Sequence, residues 1–375
     1  MDNSLKKIFS DGLNKLSEVF ASDKSKNQSL GIDIGSSAIK VVQLKKKNGK
    51  AVLETYGVIS LGPYGNMEVG SVTNLSTEVL AQALKDVMKE SNVTTKSAVM
   101  AIPSLSSLIF NLSLPGNIPE SQLPKIIPIE ARKYIPVPIS EVSLDWLVIP
   151  QEESFEGEVK NDTEKKTEVL VVAIHNDTLS KYRDILKKTE LQSDSFEMEI
   201  FSNIRSSFVH DTLPLLLIDF GASKTKFSII EEGIVRDSHV VNRGAQDITK
   251  NIAQSLGVSF EEAEKLKRLI GIEKSADGKV ESIAKLSIDY IFSDVNSIVL
   301  AYEKKYNKNI GKVVLVGGGA LLKGLLDHAK ENFKIEVVFS NPFFKTEAPA
   351  FLTPILEVSG PEFSVAVGLA LRQLS

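Results

Sequence analysis

The stretch LGIDIGSSAIKVVQL, residues 30–44, decides how this chain is read. An apolar run carries one aspartate, Asp33, turns on Gly35-Ser36-Ser37, and continues as a second apolar run that holds Lys40. The pattern returns as LLIDFGASKTKFSII, residues 216–230, where Asp219, Gly221, Ser223 and Lys226 stand in the register of Asp33, Gly35, Ser37 and Lys40. A carboxylate inside an apolar strand costs desolvation free energy unless a cation meets it. One Gly-Ser turn means little, because such turns are common. A second copy with carboxylate, glycine, hydroxyl and lysine in one register marks an internal duplication.

The 375 residues are enough for more than one core. A net charge of −4 argues against a molecule built to hold nucleic acid by its overall field. The absence of cysteine excludes disulfides, zinc thiolates and cysteine nucleophiles. The four histidines, His175, His210, His239 and His328, stand apart, so no His-based metal site is expected. No apolar run approaches the roughly 20 residues of a membrane span, and no signal-peptide core is present.

Residues 4–20, SLKKIFSDGLNKLSEVF, place Leu5, Ile8, Phe9, Leu13, Leu16, Val19 and Phe20 on one helical face, with Lys6, Lys7 and Lys15 elsewhere. The polar stretch SDKSKNQS (22–29) then reads as a linker. A tethered amphipathic helix suits contact with a partner or a membrane surface. It equally suits a terminal helix packed on its own protein.

After Asn48-Gly49, AVLETYGVISL (51–61) completes an antiparallel meander. STEVLAQALKDVMKE (76–90) follows as a helix capped by Ser76. Residues 97–174 change character: strands KSAVMAIP, SLIFNLSLP, VSLDWLVIP and EVLVVAIH surround a proline-punctuated helix, PESQLPKIIPIEARKYIPVP. The charged stretch 151–168 reads as an exposed hairpin loop, and the whole block as an inserted α/β unit. From residue 215 the meander restarts, followed by three helices. IGKVVLVGGGALLKGLLDHAKENF (310–333) gives a strand, a triple-glycine turn and a helix, and a last helix is expected from about Pro361 to Leu374.

Asp33 and Asp219 can hold Mg²⁺ directly or through waters. Gly35 and Gly221 let the turn backbone approach an anion, where successive N–H groups form a nest. Ser36, Ser37 and Ser223 add hydroxyls, and Lys40 offers a charge for phosphate. Two such turns, one per half, would hold a polyphosphate from both sides. Gly317-Gly318-Gly319 offers bare backbone at a strand end, a candidate cradle for adenosine. The spacing is not that of the dinucleotide fingerprint, and no GxxxxGK[ST] loop occurs.

Asp33-Ile-Gly35-Ser-Ser37 with Lys40, Asp219-Phe-Gly221-Ala-Ser223, and Val316-Gly317-Gly318-Gly319 resemble the phosphate-1, phosphate-2 and adenosine motifs of actin-like ATPases. That superfamily includes actin, DnaK-type chaperones, sugar kinases and FtsA. Within it, LGIDIGSSAIKVVQL, IEARKYIPVPISEVSLDW (129–146) and NRGAQDITKNIAQSLGVSFEEAEKLK (242–267) resemble PilM-type proteins of type IV pilus assembly, over about residues 29–373.

The resemblance implies an α/β, actin-like fold: two RNase H-like halves around a nucleotide cleft, with an FtsA-like inserted subdomain. Residues 1–28 would form the helix and linker, and 29–90 the first half. Residues 91–190 would be the insertion, and 191–214 with 361–375 would complete the first half. Residues 215–256 would be the second half, 257–290 its helical elaboration, and 291–360 its remainder with the adenosine motif.

ATP and Mg²⁺ are the implied cofactors, with Asp33 and Asp219 at the metal. Gly35, Ser36, Ser37, Lys40, Gly221, Ala222, Ser223, Lys224 and Gly317–Gly319 would contact the nucleotide. Glu264 and Lys267 would approach the ribose and base, or simply form a charged helix face. The implied partner is the cytoplasmic N-terminal peptide of a PilN-like inner-membrane protein, with pilus motor or platform proteins and homo-oligomers as further contacts. The peptide would meet a sheet edge or groove of the insertion. IPVPIS (135–140) would border that groove or act as a rigid connection. The implied location is the cytoplasm, at the inner face of the membrane. No catalytic residue is assigned: Glu130 is as well explained as a structural or groove residue, and slow or absent hydrolysis is expected. The competing readings are an FtsA-like filament protein of cell division and a small-molecule kinase of the same fold.

Overall fold

The structure is a computed structural model that describes residues 27–116, 118–149, 166–193, 195–208, 213–275 and 278–374. The amphipathic segment 4–20 and residues 151–165 of the charged loop lie outside the described residues.

The first meander is β1 (Gln28–Ile34), β2 (Ala38–Lys47) and β3 (Lys50–Ser60). Asn48 and Gly49, both at positive φ, make the β2–β3 turn. Helix α1 (Thr77–Glu90) begins where the Ser76 hydroxyl accepts the Val79 N–H, 3.4 Å away. β4 (Ala98–Ile102) is buried along its whole length and pairs in parallel with β1. A continuous apolar run is what a strand covered on both faces requires. β4 therefore belongs to the first sheet, which corrects the expected start of the insertion at residue 91.

The insertion proper is a three-stranded antiparallel sheet of β5 (Ser107–Pro115), β6 (Val142–Val148) and β7 (Lys166–His175), in the order β5-β7-β6. Lys166–Glu168 pair with Pro115–Ser113, so they are strand and not loop. Helix α2 (Leu123–Ala131) covers this sheet through Leu123, Ile127 and Ala131. Ile135, Val137 and Ile139 pack into the same small core, so IPVPIS turns its apolar side chains inward.

The chain then returns to the first half through α3 (Asn176–Lys188), which packs on α1. β8 (Phe196–Met198) and α4 (Glu199–Ser207) follow. The first sheet reads β3-β2-β1-β4-β8.

The second half repeats the plan. β9 (Leu215–Phe220), β10 (Thr225–Glu231), β11 (Ile234–Val241), β12 (Lys312–Val316) and β13 (Glu336–Phe339) order as β11-β10-β9-β12-β13, the same topology. Helices α5 (Ala245–Leu256), α6 (Phe260–Ile270) and α7 (Lys279–Tyr306) precede β12, and α8 (Leu325–Phe333) follows it. The long helix α7 runs straight through the boundary expected at residue 290 and buries Ile288, Ile291 and Val295 in one core.

The last helix, α9, spans Thr353–Arg372 and does not wait for Pro361. Proline is favoured at a helix start; here Pro354 fills that place and Pro361 lies inside. The stretch Ala350–Arg372 is long and apolar enough to cross a membrane by composition, yet most of it is buried against the protein, as a core helix is. It lies so close to β1 that a Cβ on Gly31 would sit 1.9 Å from the Ala366 carbonyl oxygen. A Cβ on Gly368 would sit 2.0 Å from the Ser202 oxygen of α4. Both glycines are demanded by backbone proximity, and α9 is clamped between the first sheet and α4. Gly31→Ala should therefore force α9 off the sheet and lower stability by about 1–3 kcal/mol or more. Urea unfolding checks this, and an unchanged midpoint would refute the close packing.

Candidate functional site

Asp33 and Lys40 are direct cross-strand partners in β1 and β2, as Asp219 and Lys226 are in β9 and β10. That is why the spacing repeats. A tight reversal, closed by Gly35 N–H to Ala38 O at 2.9 Å and by Gly221 N–H to Lys224 O at 3.1 Å, brings each lysine opposite its aspartate. The Lys40 ammonium lies 3.8 Å from Asp33, and the Lys226 ammonium 3.0 Å from Asp219. Each hairpin thus supplies the cation that its own buried carboxylate needs.

The two hairpins are also linked to each other. Glu199 opens α4 in the first half; its Oε1 accepts the Ser104 N–H at 2.7 Å. Its Oε2 lies 2.7 Å from Lys226 of the second half. Burial pushes the Asp33 carboxyl up from 3.8 to about 6; Lys40 opposes the rise, while the negative charges of Glu199 and Asp219 add to it. Burial works against the charge of Lys226, but Asp219 and Glu199 hold it well above the usual lysine range.

The glycines of the third turn have different reasons. Gly317, at φ 89°, would place a Cβ 2.5 Å from the Asp219 carboxylate, and one on Gly319 would lie 2.1 Å from the Phe220 ring. Packing against β9 demands both. Gly318 is open, with the Glu362 side chain 3.8 Å from where its Cβ would be. A 3₁₀ turn, Gly318–Leu321, comes next, and α8 starts only at Leu325. The helix N-terminus expected directly after the glycines is therefore not there, because Gly324, at φ 79°, breaks the chain first.

Glu264 and Lys267 lie on α6 and are buried, so they do not form a solvated charged face. The Lys267 ammonium donates to Glu264 at 2.6 Å, to the Thr249 hydroxyl at 2.9 Å and to the Ala245 carbonyl at 3.2 Å. Arg268 holds the other Glu264 oxygen at 2.7 Å. Burial opposes the Glu264 charge, but Lys267 and these hydrogen bonds bring its pKa below the usual range. Burial lowers Lys267 against the pull of Glu264. Gly70, in the β3–α1 loop of the first half, closes on this pair: a Cβ there would lie 2.8 Å from the Glu264 carboxyl carbon. The same loop is tied to the first turn by Thr73 N–H to Ser36 O, 2.9 Å.

One cleft of about 1100 Å³ lies between the halves. Its walls bring together Asp33, Gly35, Ser36, Ser37 and Lys40 with Asp219, Gly221, Ala222, Ser223 and Lys224. Glu264, Lys267 and Gly317–Gly319 line it as well. Lys226, Glu199, Gln246, Arg268 and Glu362 line it too and were not among the residues read as functional. The duplication had flagged Lys226 as the match of Lys40; Glu199 carries no local signal, since only the pairing of β8 with β4 brings it there. Among the described residues no three metal-ligating side chains converge into a ready-made ion site.

Two halves of one topology, closed on a cleft between duplicated Asp-Gly hairpins, define an actin-like protein with RNase H-like halves. The family model described as Type IV pilus assembly protein PilM matches residues 31–374, and the chain belongs to that family. It is similar to the cell division protein FtsA of Neisseria meningitidis, 23% identical, with 90% of this chain and 88% of that protein covered. Among solved structures it resembles the PilM-PilN type IV pilus biogenesis complex, with TM-score 0.77, 23% identity, and 94% of this chain and 100% of that chain covered. It also resembles MreB5 of Spiroplasma citri bound to ADP, with TM-score 0.50, 11% identity, and 92% and 95% covered.

The raised pKa of Asp33 makes a stability prediction. A carboxyl whose folded pKa of about 6 exceeds its ordinary 3.8 adds stability that is fully present below pH 3.8 and lost as pH rises through about 6. Asp33→Asn should thus be more stable than the parent at neutral pH, by up to about 3 kcal/mol, with the curves converging at acid pH. Denaturant midpoints across pH test this; a variant less stable at neutral pH contradicts it.

Proposed function

We propose that the cleft binds ATP with Mg²⁺ and that the protein is a nucleotide-responsive scaffold. It would serve the inner-membrane assembly platform of a type IV pilus or related secretion system, from the cytoplasmic face. The observation that carries this reading is the pair of Asp-Gly hairpins facing each other across one cleft. The Gly35-Ser36-Ser37 and Gly221-Ala222-Ser223-Lys224 turns would hold phosphates by N–H and hydroxyl groups, with Lys40 and Lys226 supplying charge. The open backbone at Gly318 and the Glu264–Lys267–Arg268 cluster would receive the base and ribose.

The donor set fits a hydrated ion. Asp33 and Asp219 each already have a lysine partner, and no third carboxylate completes a protein cage among the described residues. Mg²⁺ would keep several waters and take remaining ligands from the phosphates, whose charge it offsets. Glu199 is tied to Ser104 and to Lys226, which makes it part of the contact between the halves. No residue is assigned to orient an attacking water, and the reading is slow or absent hydrolysis, with ATP acting through cleft closure.

Membership of the PilM family supports a role in pilus assembly. The likeness to the PilM-PilN complex supports a PilN-like membrane protein as partner, through its cytoplasmic N-terminal peptide. The third sheet offers a place for it: Ile129 and Tyr134 are exposed at the end of α2, and Tyr134 stacks on Phe110 of β5, centroids 5.0 Å apart. Calorimetry should show micromolar ATP binding in Mg²⁺, lost in the Asp33→Ala, Asp219→Ala double variant and in Lys226→Ala. A peptide from the cytoplasmic end of the PilN-like protein should bind more tightly with ATP present. No ATP binding by the parent, or full binding by the double variant, overturns the reading.

A further inference from the structure

One part of the cleft wall belongs to none of the three turns. Thr178, Lys181 and Tyr182 of α3 line the cleft. At positions i, i+3 and i+4 they share one face of the helix, with side chains about 5–6 Å apart. Each ends in a hydrogen-bond donor: two hydroxyls and an ammonium. Among the described residues, none of these side chains makes a hydrogen bond or an ion pair. Ser106, closing the 3₁₀ turn Ser104–Ser106, lines the cleft too, and its hydroxyl is likewise unpartnered among the described residues.

Tyr182 shows that this face is turned inward. Its ring packs in the core that α3 shares with the first sheet, and the residue is only 6% exposed. Burial raises its hydroxyl above the usual tyrosine range, and the negative charges of Glu199 and Asp33 raise it further. The phenol is thus a protonated donor beside those two carboxylates, and it is not sealed in the core as the Tyr302 hydroxyl is. Neither carboxylate takes up the Lys181 charge. Glu199 is held by Ser104 and Lys226, and Asp33 faces Lys40. Counted together, Lys40, Lys226 and Lys181 balance Asp33, Asp219 and Glu199, and Lys181 is the one of the three lysines that touches no carboxylate. Buried donors left without an acceptor cost free energy.

We propose that Thr178, Lys181 and Tyr182 form a subsite for a second, phosphate-type anion, held in the same cleft beside the nucleotide. A tetrahedral oxyanion has lone pairs enough to accept from both hydroxyls and the ammonium at once, and charge on the acceptor strengthens each bond. The cleft, about 1100 Å³, exceeds the roughly 300–1,000 Å³ of ordinary small-ligand sites, so a second ligand has room. The subsite goes beyond the nucleotide reading, because the donors of α3 are in place whatever the two hairpins hold.

The probe is inorganic phosphate, titrated calorimetrically into the full chain at constant ionic strength, alone and with excess ADP and Mg²⁺. Phosphate should bind in both conditions. With ADP present, Lys181→Met, which keeps the apolar stem, should weaken phosphate at least tenfold, and Tyr182→Phe at least threefold. Lys187→Met, exposed near the end of the same helix, should leave it unchanged and controls for a general loss of positive charge. Urea midpoints near the parent's establish that the variants fold. A parent that binds no phosphate, or Lys181→Met and Tyr182→Phe variants that bind it as the parent does, overturn the proposal. Phosphate displaced by ADP overturns it too, by placing the anion where the nucleotide sits. Failure of the nucleotide reading looks different: ADP gives no binding heat, while phosphate still binds and still depends on Lys181.

Discussion

The cross-strand pairs Asp33–Lys40 and Asp219–Lys226 are the constraint on which the cleft depends. An aspartate near the end of an apolar strand is tolerated only with a cation at hand, and a tight hairpin delivers one in the adjacent strand. The same geometry leaves a glycine-opened turn next to a carboxylate and an ammonium. Duplicated and set face to face, it places carboxylates, hydroxyls and ammonium groups in the cleft between two largely apolar sheets. Lys226 adds the inter-half contact by reaching Glu199, so one side chain neutralises its own hairpin and ties the second half to the first.

The arrangement is electrostatically uneven. Asp219 has a close lysine, shared with Glu199, whereas Asp33 has a looser one and a carboxyl pushed up to about 6. A fold selected for stability alone would not leave that carboxylate under-neutralised inside a sheet. Local conflicts of this kind gather where a protein keeps a place for something else. The buried Glu264–Lys267–Thr249 network has the opposite character: its hydrogen bonds are satisfied, and it meets the Gly70 loop as a firm edge. One side of the cleft is fully paired, and on the other Asp33 is only loosely matched by Lys40.

Much of this was legible because hairpins are local. The register of Asp33 with Lys40 follows from residues within one turn of each other, and the second copy confirmed the period. The two halves and the three turns were legible for the same reason. What escaped depends on contacts between distant segments. β4 looks like the start of an insertion until its pairing with β1 places it in the first sheet. The start of α9 was misplaced because Pro354 and Pro361 both suit a helix start, and the turns before Pro361 are held by distant packing, with Leu356 in one core cluster with Phe343 and Phe363. Glu199 has no signature in sequence, and two of the three glycines in the Gly317–Gly319 turn turned out to serve packing on Asp219 and Phe220. Spacing reveals local chemistry; which distant backbone lies within 3 Å is not written in any short window.

The most direct test of the account is a crystal structure of the full chain grown with a non-hydrolysable ATP analogue and Mg²⁺. The account predicts phosphate density touching both the Ser36-Ser37 and the Ala222-Ser223 turns, with the ion between Asp33 and Asp219 and the base beside Gly318. Density at only one turn, or a nucleotide bound outside the cleft, would contradict the claim that the duplicated hairpins form a single site.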